Sequence, residues 1–157
     1  AVPALLVLIV WLRVNWSRKL RFIVLIIVSG AVAYAGAKLA GHLYYDPRPF
    51  VVGHFKPYFP HSTDNGFVSD HTLLGSVLAF ACFRYSHTAG YLAIIAAVLV
   101  GSARVVAGVH HIQDVIGALV VAGISVLVVN LIMRHWLHVN DRKAAANLSA
   151  SERRPRG

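Results

Sequence analysis

Four apolar runs divide this chain, at about residues 22–43, 71–85, 89–107 and 112–137. A helix that crosses a bilayer needs about 20 apolar residues, within a range of roughly 17–25. The second run is short, but a helix bordering a polar site can be short when protein covers its ends. Of the 157 residues, 57% are hydrophobic and 13% are charged, against about 25% charged in an ordinary soluble domain. A soluble single domain is therefore excluded, as is disorder over most of the chain. The opening run, Ala1 to Trp11, is too short to span. It has neither an initiator Met nor the charged flank of a signal peptide. It is read as the end of a helix whose start precedes this sequence. The expected fold is all-α: an integral membrane bundle of about four full transmembrane helices plus one truncated N-terminal helix. Residues 1–139 form the membrane domain, with an outer loop over 44–70. Residues 140–157 are polar and basic and are expected to be a disordered tail.

Charge placement gives the orientation. There are 15 Lys+Arg against 6 Asp+Glu. Arg13, Arg18, Lys19 and Arg21 precede the first full run, Arg84 separates the second from the third, and Arg134, Arg142, Lys143, Arg153, Arg154 and Arg156 follow the fourth. If the helices alternate, all eleven fall on one side, and an excess of Lys and Arg marks the cytoplasmic side. Trp11, Trp16 and Trp136 sit near the same interface. The positive balance thus describes topology, with the phospholipid bilayer as partner and no nucleic acid. The single cysteine, Cys82, is read as a small buried apolar residue.

The chemistry gathers at the other side. Arg48-Pro49 follows the first run, Ser69-Asp70-His71 opens the second, Arg104 closes the third, and His110 and Asp114 begin the fourth. Ionisable groups at membrane helix ends are functional candidates. His110 and Asp114 are four apart, so on a helix they share a face. The carboxylate can then fix the imidazole tautomer and free the other ring nitrogen as nucleophile or base. Taken alone, the pair can equally be structural. Arg48 and Arg104 bring planar donor forks suited to phosphate oxygens, and His71 is a second imidazole for acid–base work. A metal held by His110, His111, His71 and Asp114 is disfavoured, because two arginines oppose a cation. Ser69 can be a phosphate ligand or a helix cap, and Asp70 can tune His71 or cap. His54 and His61 are read as solvated loop residues. Tyr44, Tyr45 and Phe50 are read as an interfacial belt. A non-catalytic transporter or channel subunit stays open as a different class.

These residues resemble the tripartite signature of the type-2 phosphatidic acid phosphatase superfamily: Lys-x6-Arg-Pro, Pro-Ser-Gly-His and Ser-Arg-x5-His-x3-Asp. Here Arg48-Pro49 ends the first motif, Val68-Ser69-Asp70-His71 stands for the second, and Ala103-Arg104, His110 and Asp114 make the third. The resemblance implies that His110 attacks phosphorus to form a phosphohistidine, oriented by Asp114. It implies that Arg48, Arg104 and Ser69 hold the phosphoryl oxygens, that His71 protonates the leaving group, and that no metal or other cofactor takes part. Four positions depart from the signature, in all three of its motifs. Gly41 stands where the lysine belongs, leaving Lys38, one turn deeper, or His42 as substitutes. Val68 and Asp70 replace proline and glycine, and Ala103 replaces serine. The Ser-Asp-His variant, with Tyr44-Tyr45-Asp46-Pro-Arg-Pro-Phe, is similar to the bacitracin-resistance type of undecaprenyl pyrophosphate phosphatase. That likeness implies a polyprenyl pyrophosphate substrate, a carrier lipid of cell-wall synthesis, handled on the outer face of a bacterial plasma membrane. Other lipid phosphates, or lipid phosphotransfer, are the alternatives.

Overall fold

The computed structural model describes residues 2–152. The elements in chain order are α1 (Val2–Arg13), α2 (Trp16–Leu43), α3 (Pro49–Val52), α4 (Asp70–Phe83), α5 (His87–Val106) and α6 (Ile112–Glu152). The described residues hold no β-strand beyond an isolated bridge between Pro47 and Asn65. Three helices are long and apolar enough to cross a membrane: α2, α5 and α6 over Ile112–Lys143. Mean hydropathy over their most apolar windows is 1.9–2.7, yet only 28–33% of those residues are buried. A water-soluble bundle would hide such surface. Here Ile27, Leu99, Ile124 and Ile132 point outward, as lipid-facing residues do.

Helix α4 runs through the middle of the bundle and packs on α1, α2, α5 and α6. Its 14 residues rise about 21 Å, short of the roughly 30 Å hydrocarbon layer. The outer loop covers its N-terminal end, which is what lets so short a helix sit there. The interior is built from small side chains. Ala33, Ala79, Ala93, Ala97, Ala118 and Ala122 are fully buried, and Gly75 lies against Ala97. Close backbone approach of this kind is how helices associate where no hydrophobic effect separates protein from lipid. Two buried hydroxyls are satisfied within their own helix, whereas that of Ser29 has no partner. Ser76 Oγ donates to Thr72 O at 2.6 Å and Ser125 Oγ to Val121 O at 2.7 Å. Cys82 is fully buried and free.

Two boundaries differ from the sequence expectation. Helix α2 starts at Trp16, ahead of the apolar run, because Arg18, Lys19 and Arg21 are good helix formers that extend it as polar turns. Helix α6 continues to Glu152, into the segment expected to be a disordered tail. The strongly helix-favouring Arg142-Lys143-Ala-Ala-Ala sequence accounts for the continuation. Residues 153–157 lie outside the described part.

The turn between α5 and α6 positions the chemistry. Gly108 has φ +75° and ends α5 in a Schellman motif. Its N–H donates to Val105 O at 2.9 Å, and the Val109 N–H donates to Arg104 O at 3.2 Å. A Cβ at Gly108 would stand 2.5 Å from the Phe55 ring. Gly108→Ala combines left-handed strain with this clash. It is expected to cost about 1–3 kcal/mol, read as a drop of several degrees in the thermal midpoint of the detergent-solubilised chain. An unchanged midpoint contradicts the tight turn.

Candidate active site

The turn delivers His110 to the mouth of the bundle just ahead of α6, with its side chain 4% exposed. Asp114, in the first turn of α6, is fully buried behind it. Asp114 Oδ2 accepts the His111 backbone N–H at 2.8 Å and lies 3.2 Å from His110 Nδ1. One oxygen therefore ties the helix start and holds the imidazole, as the acidic member of a capping box does. This is the geometry expected from the four-residue spacing, although His110 itself sits in the turn rather than on the helix.

On its other side, His110 Nε2 is 3.4 Å from Arg48 Nη1, which donates to Val109 O at 2.9 Å. Arg48 is the N-cap residue of α3, set between Pro47 and Pro49, and is nearly buried. A cavity of about 370 Å³ opens here, lined among others by Lys38, His42, Arg48, His61, Asp64, Asp70, His71, Arg104 and His110. The fold thus brings together Arg48, His71, Arg104 and His110 from three sequence motifs, with Lys38 and His42 on the same wall. His71 is exposed and makes no side-chain hydrogen bond. Lys38 Nζ lies 5.0 Å from the Tyr34 ring centre.

Ser69 is different. It is fully buried, does not line the cavity, and accepts the Thr72 hydroxyl at 3.1 Å. It precedes α4 without a side-chain capping bond. The structure therefore does not bring it to the phosphate position that the motif implies.

Gly41, where the family lysine is expected, has no room for a side chain. A Cβ there would lie 2.7 Å from Phe67 O. The neighbouring residue that organises this corner is Asn65. Its Oδ1 accepts from the Asp46 and Phe67 N–H groups at 2.9 and 3.0 Å. Its Nδ2 donates to the Gly41 and Tyr44 carbonyls at 2.7 and 2.9 Å. All four bonding positions of this amide are filled, so Asn65 stitches the end of α2 to the Arg48 segment and to the entry of α4.

The outer loop reaches further into the site than the sequence suggests. Asp64 Oδ1 accepts from Arg48 Nε and Nη2 at 3.0 and 2.8 Å. His61 Nε2 lies 3.1 Å from Arg104 Nη2, and Phe59 stacks under the Arg104 guanidinium at 4.7 Å. The reading of His61 as a solvated loop residue is thus corrected. Burial and then the Arg48 guanidinium hold it below the ordinary imidazole range, opposed by the bond to Ser62 O and helped to a smaller extent by Arg104 and His110. In its neutral form its Nε2 accepts from Arg104. Hydrogen bonds from Ser62 and then Arg48 hold the Asp64 carboxyl below its ordinary range. Both arginines are therefore engaged by side chains of the outer loop.

Asp64→Asn removes the competing charge. Its carboxylate is 64% exposed, so the pair is worth at most about 1 kcal/mol, and vanadate inhibition should tighten by roughly three- to five-fold. Unchanged or weaker inhibition contradicts the competition. Acid should release His61 first. Its contact is intact above the ordinary histidine value near 6.5 and weakens as pH falls below it, since protonation sets a cation against Arg104. Asp64 stays ionised until pH falls below about 4. An NMR titration should place the His61 midpoint below 6.5, and a midpoint at or above that value contradicts the burial.

His111 turns away from His110, with its Nδ1 3.2 Å from Asp46 Oδ2. Asp46, buried and not singled out from the sequence, also accepts the Gln113 amide at 2.6 Å. Asp46, His111 and Asp114 bring one possible ligand atom each to within 4.8 Å of one another. This trio shares only His111 and Asp114 with the set weighed from sequence. Its two carboxylates accept hydrogen bonds from Gln113 and the His111 backbone, while Asp114 Oδ1 and His111 Nδ1 are buried without a hydrogen-bond partner. Beside His110, a second cavity of about 580 Å³ is lined largely by Phe55, Tyr58, Val105, Val106 and Ile112.

Among the described residues, then, an all-helical bundle with three helices long and apolar enough to cross a membrane carries a buried His–Asp pair and two arginines around one cavity. The chain belongs to the PAP2 superfamily, whose model matches residues 4–137. It is 32% identical to undecaprenyl-diphosphatase BcrC of Bacillus subtilis (strain 168) over 122 residues, 76% of this chain and 61% of that protein. It is 30% identical to the putative undecaprenyl-diphosphatase YbjG of Escherichia coli (strain K12) over 139 residues, 87% and 69% respectively. A third relative, 29% identical over 127 residues, is the bacitracin transport permease protein BcrC of Bacillus licheniformis, with 80% and 62% covered. The chain spans about three fifths of the length of the two Bacillus relatives.

Proposed function

We propose that this chain is a membrane lipid phosphatase that converts a polyprenyl diphosphate, undecaprenyl diphosphate in the first instance, to the monophosphate. The observation that carries the reading is His110, held by buried Asp114 on one ring nitrogen and facing the Arg48 guanidinium with the other. The names of two relatives supply the substrate class. In the first step His110 Nε2 attacks the terminal phosphorus. The bond from that phosphorus to the bridging oxygen breaks, and the departing lipid monophosphate takes a proton from His71. In the second, water gives a proton back to His71 and attacks the phosphohistidine, releasing inorganic phosphate and free His110. Arg48 and Arg104, with Lys38 at the rim, neutralise charge on the phosphoryl oxygens. Substrate must first displace Asp64 and His61 from these arginines. The apolar cavity beside His110 suits the prenyl end of the substrate.

In this reading residues 1–139 are the phosphatase domain. Four transmembrane helices, α4 included, follow the short α1, and the site faces the outside of a bacterial plasma membrane. No metal or other cofactor takes part. Other lipid phosphates, among them phosphatidylglycerol phosphate, phosphatidic acid and lipid A, are the alternatives, as is lipid phosphotransfer. A non-catalytic transport subunit is the reading favoured by the name of the Bacillus licheniformis relative. The test is phosphate release by the purified chain from that substrate panel, with and without chelator, with His110→Ala as control. Preference for the polyprenyl diphosphate, unaffected by chelator, supports the proposal. Equal rates on all lipids remove the substrate assignment. Loss of activity in chelator points to a metal, and no phosphate release from any lipid supports the transport reading.

A further inference from the structure

At the end of the bundle away from His110, five arginines converge on one cavity of about 540 Å³. Arg13 comes from the end of α1, Arg18 and Arg21 from the start of α2, Arg84 from the end of α4, and Arg134 from α6. From Leu25 on this cavity to Gly41 at the other, α2 climbs sixteen residues, or about 24 Å. The two sites therefore share no residue.

Topology alone does not build such a place. A membrane protein concentrates Lys and Arg on its cytoplasmic side, but that rule sets a side and not a point of convergence. The neighbouring cations go elsewhere. Lys19 Nζ lies 4.2 Å from the Trp11 ring centre and 5.2 Å from that of Trp16, and Arg142 lines a separate pocket with His135 and His138. All five charged residues that line the cavity are arginines, whose planar forks match phosphate oxygens. Among the described residues no carboxylate lines it and none of the five is in a salt bridge. Among the same residues only Arg84 has a side-chain partner, the Asn130 carbonyl oxygen at 3.3 Å. Like charges gathered this way repel one another, and a bound anion relieves the repulsion. The first turn of α2 adds the positive end of its helix dipole, although the Arg18 N–H is already bonded to Asn15 O at 2.8 Å. It holds no acidic residue, and the Asn15 side chain does not cap it. The inner wall is apolar, formed by Leu25, Met133 and Leu137.

We infer that this cavity is a second, non-catalytic phosphate-binding site that takes the phosphate-bearing head of an anionic lipid. The arginine rim holds the phosphate, and the apolar inner wall receives the start of the lipid's glycerol and chains. A soluble phosphate offers the same anion to the same rim, so both sources must be tested. This inference does not depend on the phosphatase reading.

The experiment follows thermal unfolding of the full chain in phosphatidylcholine nanodiscs, with phosphatidylglycerol added to the disc or inorganic pyrophosphate added to the buffer. Arg84→Gln/Arg134→Gln removes two cations from the cavity, and Arg48→Gln/Arg104→Gln serves as the catalytic-end control. Phosphatidylglycerol is expected to raise the midpoint of the wild type and of the control by several degrees. In the cavity variant that rise should fall to less than half. Pyrophosphate stabilisation lost only in the cavity variant, with no effect of phosphatidylglycerol, supports the phosphate site with a soluble anion as its occupant. If neither probe stabilises the wild type, or if the cavity variant keeps the full effect, the inference is overturned. Should the double variant fail to fold, Arg84→Gln alone is measured by native mass spectrometry. It should retain at least threefold less bound phosphatidylglycerol than the wild type, and equal retention overturns the inference.

Discussion

His110→Ala is expected to fold as the parent does and to lose phosphate release by at least about a thousandfold. On the proposed mechanism His110 is the nucleophile, and neither His71 nor His61 is placed to take over that role. His71 is exposed and has no carboxylate partner, and His61 is turned onto Arg104. The oxyanion-holding arginines remain in the variant, so a small residual rate over water is expected from charge stabilisation alone. The thermal midpoint is measured alongside, to show that the variant folds. Parent-like turnover by a folded variant contradicts the assignment of His110.

Asp114→Asn is expected to have the next largest effect, about a hundredfold to ten-thousandfold on kcat, by the logic of a triad's orienting carboxylate. Asp114 Oδ2 accepts the His111 N–H and faces His110 Nδ1, while Oδ1 is buried without a partner. The asparagine oxygen can take the Oδ2 position and keep the helix start tied. Its amide nitrogen then falls at the unpartnered Oδ1 position. What is lost is the negative charge that favours one imidazole tautomer and stabilises the cation formed on phosphoryl transfer. Asp114 does not line the cavity, so KM should stay within about twofold while kcat falls. A rise in KM at constant kcat would mean that Asp114 serves substrate binding instead.

The parts of this site that follow a period or a spacing were legible in the sequence. The apolar runs located α2, α4, α5 and α6, and the four-residue interval paired His110 with Asp114. Arg48 and Arg104 were found by their place at helix ends. Asp64, His61, Asn65 and Asp46 were not found, because each acts through a partner 16 to 67 positions away across an irregular loop. No local pattern encodes such a contact. Ser62-Thr-Asp-Asn-Gly reads as turn chemistry, and its Asn65 does hold a turn, but the same amide also reaches α2. Ser69 shows the opposite failure. Its position in a motif suggested a ligand, whereas the packing of α4 buries its hydroxyl against Thr72. The extension of α6 was missed because charge and polarity were weighed above the helix propensity of alanine.

The central claim is a covalent intermediate on His110, and trapping it tests that claim most directly. The purified chain is mixed with polyprenyl diphosphate, quenched in alkali within the first turnovers, digested and sequenced by mass spectrometry. Alkali preserves a phosphorus–nitrogen bond that acid would hydrolyse. The account predicts phosphate on the His110 imidazole, depleted in Asp114→Asn and absent in His110→Ala. Turnover without a phosphorylated His110, or with the phosphate on another side chain, would contradict it.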